Sequence, residues 1–109
     1  MEAEPAIGLS LSVALCDATA VVTVGGEVEY GTAPQLRTML LEFAQGNTGT
    51  VVLDMAEVKF LDSSGISLLI QAQQRFDAED RRLVLRHPSP RVTRVLEVAG
   101  VADMFTVET

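Results

Sequence analysis

Apolar, β-branched runs alternate along this chain with segments whose apolar residues recur at helical spacing. That alternation restricts the chain to a sheet with helices packed on it. Leu9, Leu11 and Val13 alternate with Ser10, Ser12 and Ala14, the period of a half-buried strand. Asp17-Ala18 is the expected turn, and residues 20–24 form a second strand closed by Gly25-Gly26. Thr32-Ala33-Pro34-Gln35 has the form of a capping box. Thr32 can accept from the amide three residues on, Gln35 can reach back, and proline is tolerated in a first turn. Leu36, Met39, Leu40 and Phe43 follow at helical spacing, so a helix runs to about Gln45 and stops at Gly46-Asn47.

Residues 50–53 are apolar enough for a central strand, and residues 58–61 read as a short fourth extended piece. Ser63 or Ser64 then opens a second helix, with Ile66, Leu69, Ala72 or Gln73, and Phe76 on one face. Residues 77–80 read as a polar turn, and residues 82–86 alternate as a strand. Ser89-Pro90 pairs an N-cap with a proline at the first helical position. Val92, Val95, Leu96 and Ala99 form the apolar face of a third helix that Gly100 ends, and residues 104–107 are a last short strand. The chain has 109 residues, of which 48% are hydrophobic, which suits one domain over residues 1–109 with one core. The predicted class is α/β, a mixed sheet of four or five strands with about three helices packed on it.

Charge narrows the function. The net charge of −7 disfavours nucleic acid and anionic membrane surfaces as partners. From Met1 to Asp62 the bases are Arg37 and Lys59, whereas six arginines fall between Arg75 and Arg94. Two faces of opposite sign and an ordinary solvated surface explain that asymmetry equally well. No apolar run approaches the ~18 residues of a membrane span. The opening MEAEPAIG lacks the basic and apolar regions of a leader, so a cytoplasmic protein is expected. One cysteine, Cys16, rules out a disulfide within the chain and a multi-cysteine zinc site, and is expected as a packed small residue. One histidine, His87, leaves no histidine-rich metal cluster, and no metal or other cofactor is expected.

Leu61-Asp62-Ser63-Ser64-Gly65 sits between a strand-like and a helix-like run. A serine there serves as an N-cap, with Asp62 suited to the positive end of the helix dipole and Gly65 leaving the backbone open to close approach. The same geometry suits a phosphate switch. Phosphorylation would add about −1.5 to −2 of charge beside Asp62, and near Glu27 and Glu29 if that loop lies alongside. A changed surface, rather than a refolded domain, is the expected result.

Three stretches carry a resemblance to the STAS domain family, and within it to the bacterial anti-sigma factor antagonists. Gly25-Gly26-Glu27-Val28-Glu29-Tyr30-Gly31-Thr32-Ala33 is similar to the family's loop and helix start. Val51-Val52-Leu53-Asp54 through Phe60-Leu61-Asp62-Ser63-Ser64-Gly65 is similar to its aspartate-serine-serine-glycine run. Val92-Thr93-Arg94-Val95-Leu96-Glu97-Val98-Ala99-Gly100-Val101 is similar to its last helix. The resemblance implies a non-enzymatic binding protein without a cofactor. Its unphosphorylated form binds an anti-sigma factor that is also a Ser/Thr kinase, releasing sigma factor. The kinase modifies the serine after the aspartate, here Ser63; the modified form no longer binds, and a separate phosphatase resets it. The implied partner-binding residues are Glu27, Glu29, Tyr30, Thr32, Asp62, Ser63, Ser64, Gly65 and Ile66, with the exposed side of the following helix. Glu29 stands where the family commonly has Asp, and Tyr30-Gly31 where it has polar residues; Gly31 is expected to loosen the turn, which bears on partner choice.

Three other readings compete. A Ser63–His87 hydrolase lacks the Gly-x-Ser-x-Gly elbow. A carrier phosphorylated on His87 lacks any supporting motif. A STAS adaptor subunit of a lipid-transport or stress-signalling complex would use the same surface with Ser63 unmodified.

Overall fold

A computed structural model describes residues 8–108. The opening stretch read above for its lack of a leader pattern therefore lies outside the described residues, apart from Gly8. The elements are β1 (Leu9–Cys16), β2 (Thr19–Val28), α1 (Ala33–Gln45), β3 (Thr50–Leu61), α2 (Ser63–Ala78), β4 (Arg82–Arg86), α3 (Pro90–Val98), a 3-10 turn (Ala102–Met104) and β5 (Thr106–Glu108). The five strands form one sheet in chain order. β1 is antiparallel to β2, and β2, β3, β4 and β5 are mutually parallel. The expected mixed α/β sheet with three helices is what forms.

Each parallel connection runs through a helix, and the register shows which face those helices cover. Ala20, Val51 and Leu83 lie side by side, as do Val22, Leu53 and Leu85. All six are buried in one core with Leu36 and Leu40 of α1, Leu69 and Phe76 of α2, and Val92 and Leu96 of α3. Such strands must satisfy both sheet neighbours and a helix layer, which is why β3 and β4 read as apolar runs rather than clean alternations.

Several boundaries differ from the sequence reading. Residues 50–53 and 58–61 are one continuous strand. β3 bulges twice against β2, between Thr23 and Gly25 and between Gly26 and Glu27. Each bulge adds a residue on β3 and flips its side-chain phase, so the buried positions run Val51, Leu53, Met55, then Val58, then Leu61. Gly25-Gly26 does not close β2 but sits at these bulges. Gly26 has φ +90, and a Cβ there would lie 1.7 Å from the Gly8 carbonyl oxygen, so the position needs glycine.

The capping box at Thr32 does not form. The Thr32 hydroxyl accepts from the Glu29 amide at 3.0 Å and donates to the Glu27 carbonyl at 2.7 Å, facing back into the loop. α2 continues through Asp77 to Ala78, past the start of the expected turn. At α3 the Ser89 cap forms, with its hydroxyl accepting from the Val92 amide, and Gly100 follows the helix at φ +76. The half-buried β1 is covered only toward its start: Leu9 is buried and Leu11 packs against the core, but Val13 and Leu15 are exposed. Cys16, at the end of that strand, is exposed rather than packed. Three of the six late arginines are tied locally. Arg75 meets Glu79, Arg86 meets Glu108, and Arg81 donates to the Phe43 and Thr48 carbonyls.

Candidate functional site

Where β3 ends, Asp62 turns the chain into α2. Its φ of −105 and ψ of −169 are extended, and its carboxylate accepts from the Ser64 and Gly65 amides at 2.8 and 3.2 Å. The second oxygen accepts from the Tyr30 amide at 3.2 Å, and the Asp62 amide donates to the Val28 carbonyl. The helix cap is therefore Asp62, not Ser63 or Ser64, and it also pins the loop after β2. A carboxylate at that position satisfies first-turn amides and complements the helix dipole.

Ser63 becomes the first helical residue, exposed, with its hydroxyl free of any cap bond. A helix end ordinarily receives phosphate through its first-turn amides. Here the Ser64 and Gly65 amides are filled by Asp62 and Ser63 is exposed, so a group on Ser63 has an open path outward. Gly65 corrects a second reading. It is buried, and a Cβ would fall 2.3 Å from Leu61 Cδ1 and 3.0 Å from the Val28 carbonyl oxygen. The close approach it permits is that of the chain's own strands, not of a partner.

The other implied residues divide. Tyr30 is 83% exposed and stands at the rim. Thr32 is buried, and Ile66 packs against the core, so both support the loop and helix from within. Glu29 accepts from the Gly31 amide through its carboxylate, which ties the turn that Gly31 was expected to loosen. Glu27 is exposed, but its carboxylate lies beside Gly8 rather than over the Ser63 turn.

The cleft itself has a volume of about 700 Å³ and is lined by Tyr30, Gly31, Pro34, Arg37, Ser63, Ser64, Ser67 and Gln71. It lies between the exposed faces at the starts of α1 and α2. Ser67 and Gln71 belong to the exposed helix side anticipated from the sequence. Pro34 and Arg37 were not anticipated. The available signal was their i, i+3 spacing on the polar side of α1, opposite Leu36 and Leu40. Arg37 is the single base among the lining residues, and Ser63 is the exposed hydroxyl beside the cap. The arrangement can bind a surface and can carry a phosphate, and among the described residues no carboxylate or imidazole hydrogen-bonds the Ser63 hydroxyl. His87 stands 3.7 Å from Asp54, and some eight residues of β3 separate Asp54 from Asp62, on the order of 25 Å of strand. No cluster of three or more metal-ligating side chains occurs among the described residues, and no helix among them is long and apolar enough to cross a membrane.

A family model described as "Mlab, STAS domain" matches residues 11–107. The anti-sigma-B factor antagonist of Staphylococcus epidermidis is 30% identical over 86 residues, covering 79% of this chain and 80% of that protein. An anti-sigma factor antagonist from Mycobacterium paratuberculosis, solved by crystallography, superposes with a TM-score of 0.78 at 26% identity, over 92% of this chain and 85% of that one. The unphosphorylated form of the anti-sigma factor antagonist SpoIIAA superposes with a TM-score of 0.77 at 24% identity, over 92% of this chain and 89% of that one, a likeness of fold.

Proposed function

The chain belongs to the STAS domain family, and on that premise we propose that it is an anti-sigma factor antagonist whose binding is switched at Ser63. With the Ser63 hydroxyl free, the cleft between α1 and α2 receives a kinase-type anti-sigma factor, and sigma factor is released. Phosphorylation of Ser63 ends that binding, and a phosphatase restores it. The observation that carries this reading is the exposed Ser63 hydroxyl beside an Asp62 cap that has already taken the helix amides. A phosphate there finds the Ser64 and Gly65 amides already bonded to Asp62. It would bring about −1.5 to −2 of charge to the mouth of the cleft and leave the fold unchanged.

The names of the Staphylococcus and Mycobacterium relatives support the antagonist role, and the resemblance noted in the sequence supports the kinase, the phosphatase and the cytoplasmic setting. Tyr30, Ser64, Ser67 and Gln71 form the contact surface, Arg37 is the base within it, and Asp62, Gly65, Thr32, Ile66 and Glu29 hold its shape. Glu27, whose carboxylate lies beside Gly8, falls outside the lining of the cleft.

The test is capture from source-cell lysate with tagged wild type, Ser63→Ala and Ser63→Asp, followed by partner identification and phosphosite mapping. A kinase-type anti-sigma factor should bind wild type and Ser63→Ala, bind Ser63→Asp at least about tenfold more weakly, and modify Ser63. Equal affinity for the two variants would refute the charge switch. The match to the STAS domain model over residues 11–107 also fits a second reading, an adaptor subunit of a lipid-transport or stress-signalling complex that uses the same cleft with Ser63 unmodified. Capture of one non-kinase partner by all three proteins, with Ser63 bare, supports that reading.

A further inference from the structure

β1 is an edge strand of eight residues, and from Leu9 to Cys16 it carries no charge and no proline. It pairs with β2 without a register shift. Edges are ordinarily blunted by shortness, charge, proline or a bulge. The opposite edge, β5, is only three residues long and contains Glu108; β1 has none of these protections.

The direction of its free backbone groups follows from one bond. The Gly8 carbonyl accepts from the Glu27 amide. Backbone groups alternate sides along a strand, so even-numbered residues address β2, and Leu9, Leu11, Val13 and Leu15 direct their amides and carbonyls outward. The side chains of these same residues lie on the helix-bearing face, in register with Ala20, Val22 and Val24. Val13 is 42% and Leu15 70% exposed. With Met39, Glu42 and Phe43 of α1, Val13 lines an open depression of about 350 Å³.

We propose that this edge docks a second copy of the chain, β1 against β1, antiparallel about a twofold axis through Ser12. The strand is self-complementary in that arrangement. Leu9 of one copy falls opposite Leu15 of the other, and Leu11 opposite Val13, each pair exchanging two hydrogen bonds between groups that now face solvent. Residues opposite one another share a face, so apolar side chains meet apolar ones, and Ser12 meets Ser12. Moving the axis to Val13 forfeits the Leu9 pairs, so the Ser12 register makes the most bonds. Each copy carries a net charge of −7, yet β1 itself carries no charge, so the paired strands bring no like charges opposite one another. β1 runs opposite to β3, so the Ser63 clefts of the two copies fall toward opposite ends of the combined sheet, and both stay open. The inference stands independently of what the cleft binds.

The experiment is a sedimentation concentration series on wild type and Val13→Lys, joined to oxidative cross-linking of Ser12→Cys and Ser10→Cys, each in a Cys16→Ser background. Ser12 and its counterpart form a pair without hydrogen bonds, with Cα atoms about 4.5 Å apart, within disulfide reach. The two Ser10 positions stand about 13 Å apart along the seam, out of reach. Wild type should pass from monomer to dimer as concentration rises. Val13→Lys, at an exposed position, should remain folded by circular dichroism and dimerise at least tenfold more weakly. Ser12→Cys should cross-link and Ser10→Cys should not. A wild type that stays monomeric, with Ser12→Cys linking no faster than Ser10→Cys, overturns the proposal and leaves the edge to a strand of another protein. Dimers that form equally with Val13→Lys, or that link equally through Ser10→Cys, overturn it by placing the interface elsewhere.

Discussion

At Asp62 one carboxylate accepts from three backbone amides, two in the first turn of α2 and one in the loop after β2. Three adjacent residues, Asp62, Ser63 and Ser64, are all good N-caps, so propensity alone did not select among them. The choice depends on where β3 stops, and that depends on bulges a linear pattern does not display. Asp62→Ala should lower unfolding stability by about 1–2 kcal/mol, read as a shift in urea midpoint, with Asp62→Asn losing less because an amide oxygen also caps. Ser63→Asp, one residue on and exposed, should change stability by no more than about 0.5 kcal/mol. A large loss in Ser63→Asp would mean that charge at this position disturbs the fold, and the surface-switch account would fall with it. Gly65→Ala makes the complementary test. Its methyl would meet Leu61 Cδ1 and the Val28 carbonyl, and overpacking of that kind costs about 1–3 kcal/mol. Thermal unfolding at equal concentration measures it.

Among the elements, those whose ends carry their own chemistry were legible. Ser89-Pro90 and Gly100 bracket α3 as read, and the apolar faces of α1 and α2 point where Leu36, Leu40, Leu69 and Phe76 said they would. The loop between β2 and α1 was not legible, because Thr32 spends its hydroxyl on Glu27 and Glu29, across residues the capping-box pattern does not consider. Thr32 is buried, and Thr32→Val keeps its shape while orphaning the Glu29 amide. The expected cost is about 1–3 kcal/mol, with Thr32→Ser recovering most of it. The loop carries Tyr30 at the cleft rim, so Thr32→Val should also weaken partner capture, whereas a role confined to stability would leave capture intact in folded protein. β3 illustrates the other gap. Its pattern changes phase at Glu57 and again at Lys59, and two phase changes read as two strands. β1 showed its inward face correctly, but alternation identifies a face without saying whether anything covers it.

For the molecule as a whole, charge is the property least visible in the local geometry. Fifteen acids stand against eight bases, and before Ser63 the bases are Arg37 and Lys59 alone. An excess of one sign destabilises the compact state through self-repulsion. The opposing contribution comes from ion pairs such as Arg75–Glu79 and Arg86–Glu108. Both are on the surface, and such pairs are each worth about 0–1 kcal/mol. Added salt screens both effects. Raising sodium chloride from about 0.05 to 0.5 M shortens the Debye length from roughly 14 to 4 Å, which removes repulsion among spaced carboxylates more completely than attraction between groups in contact. Stability should therefore rise with sodium chloride, read as an increase in urea midpoint at constant pH. Chloride is the appropriate anion for the measurement, because sulfate would strengthen apolar burial in its own right. A midpoint that falls with salt would show that the contact pairs outweigh the net charge.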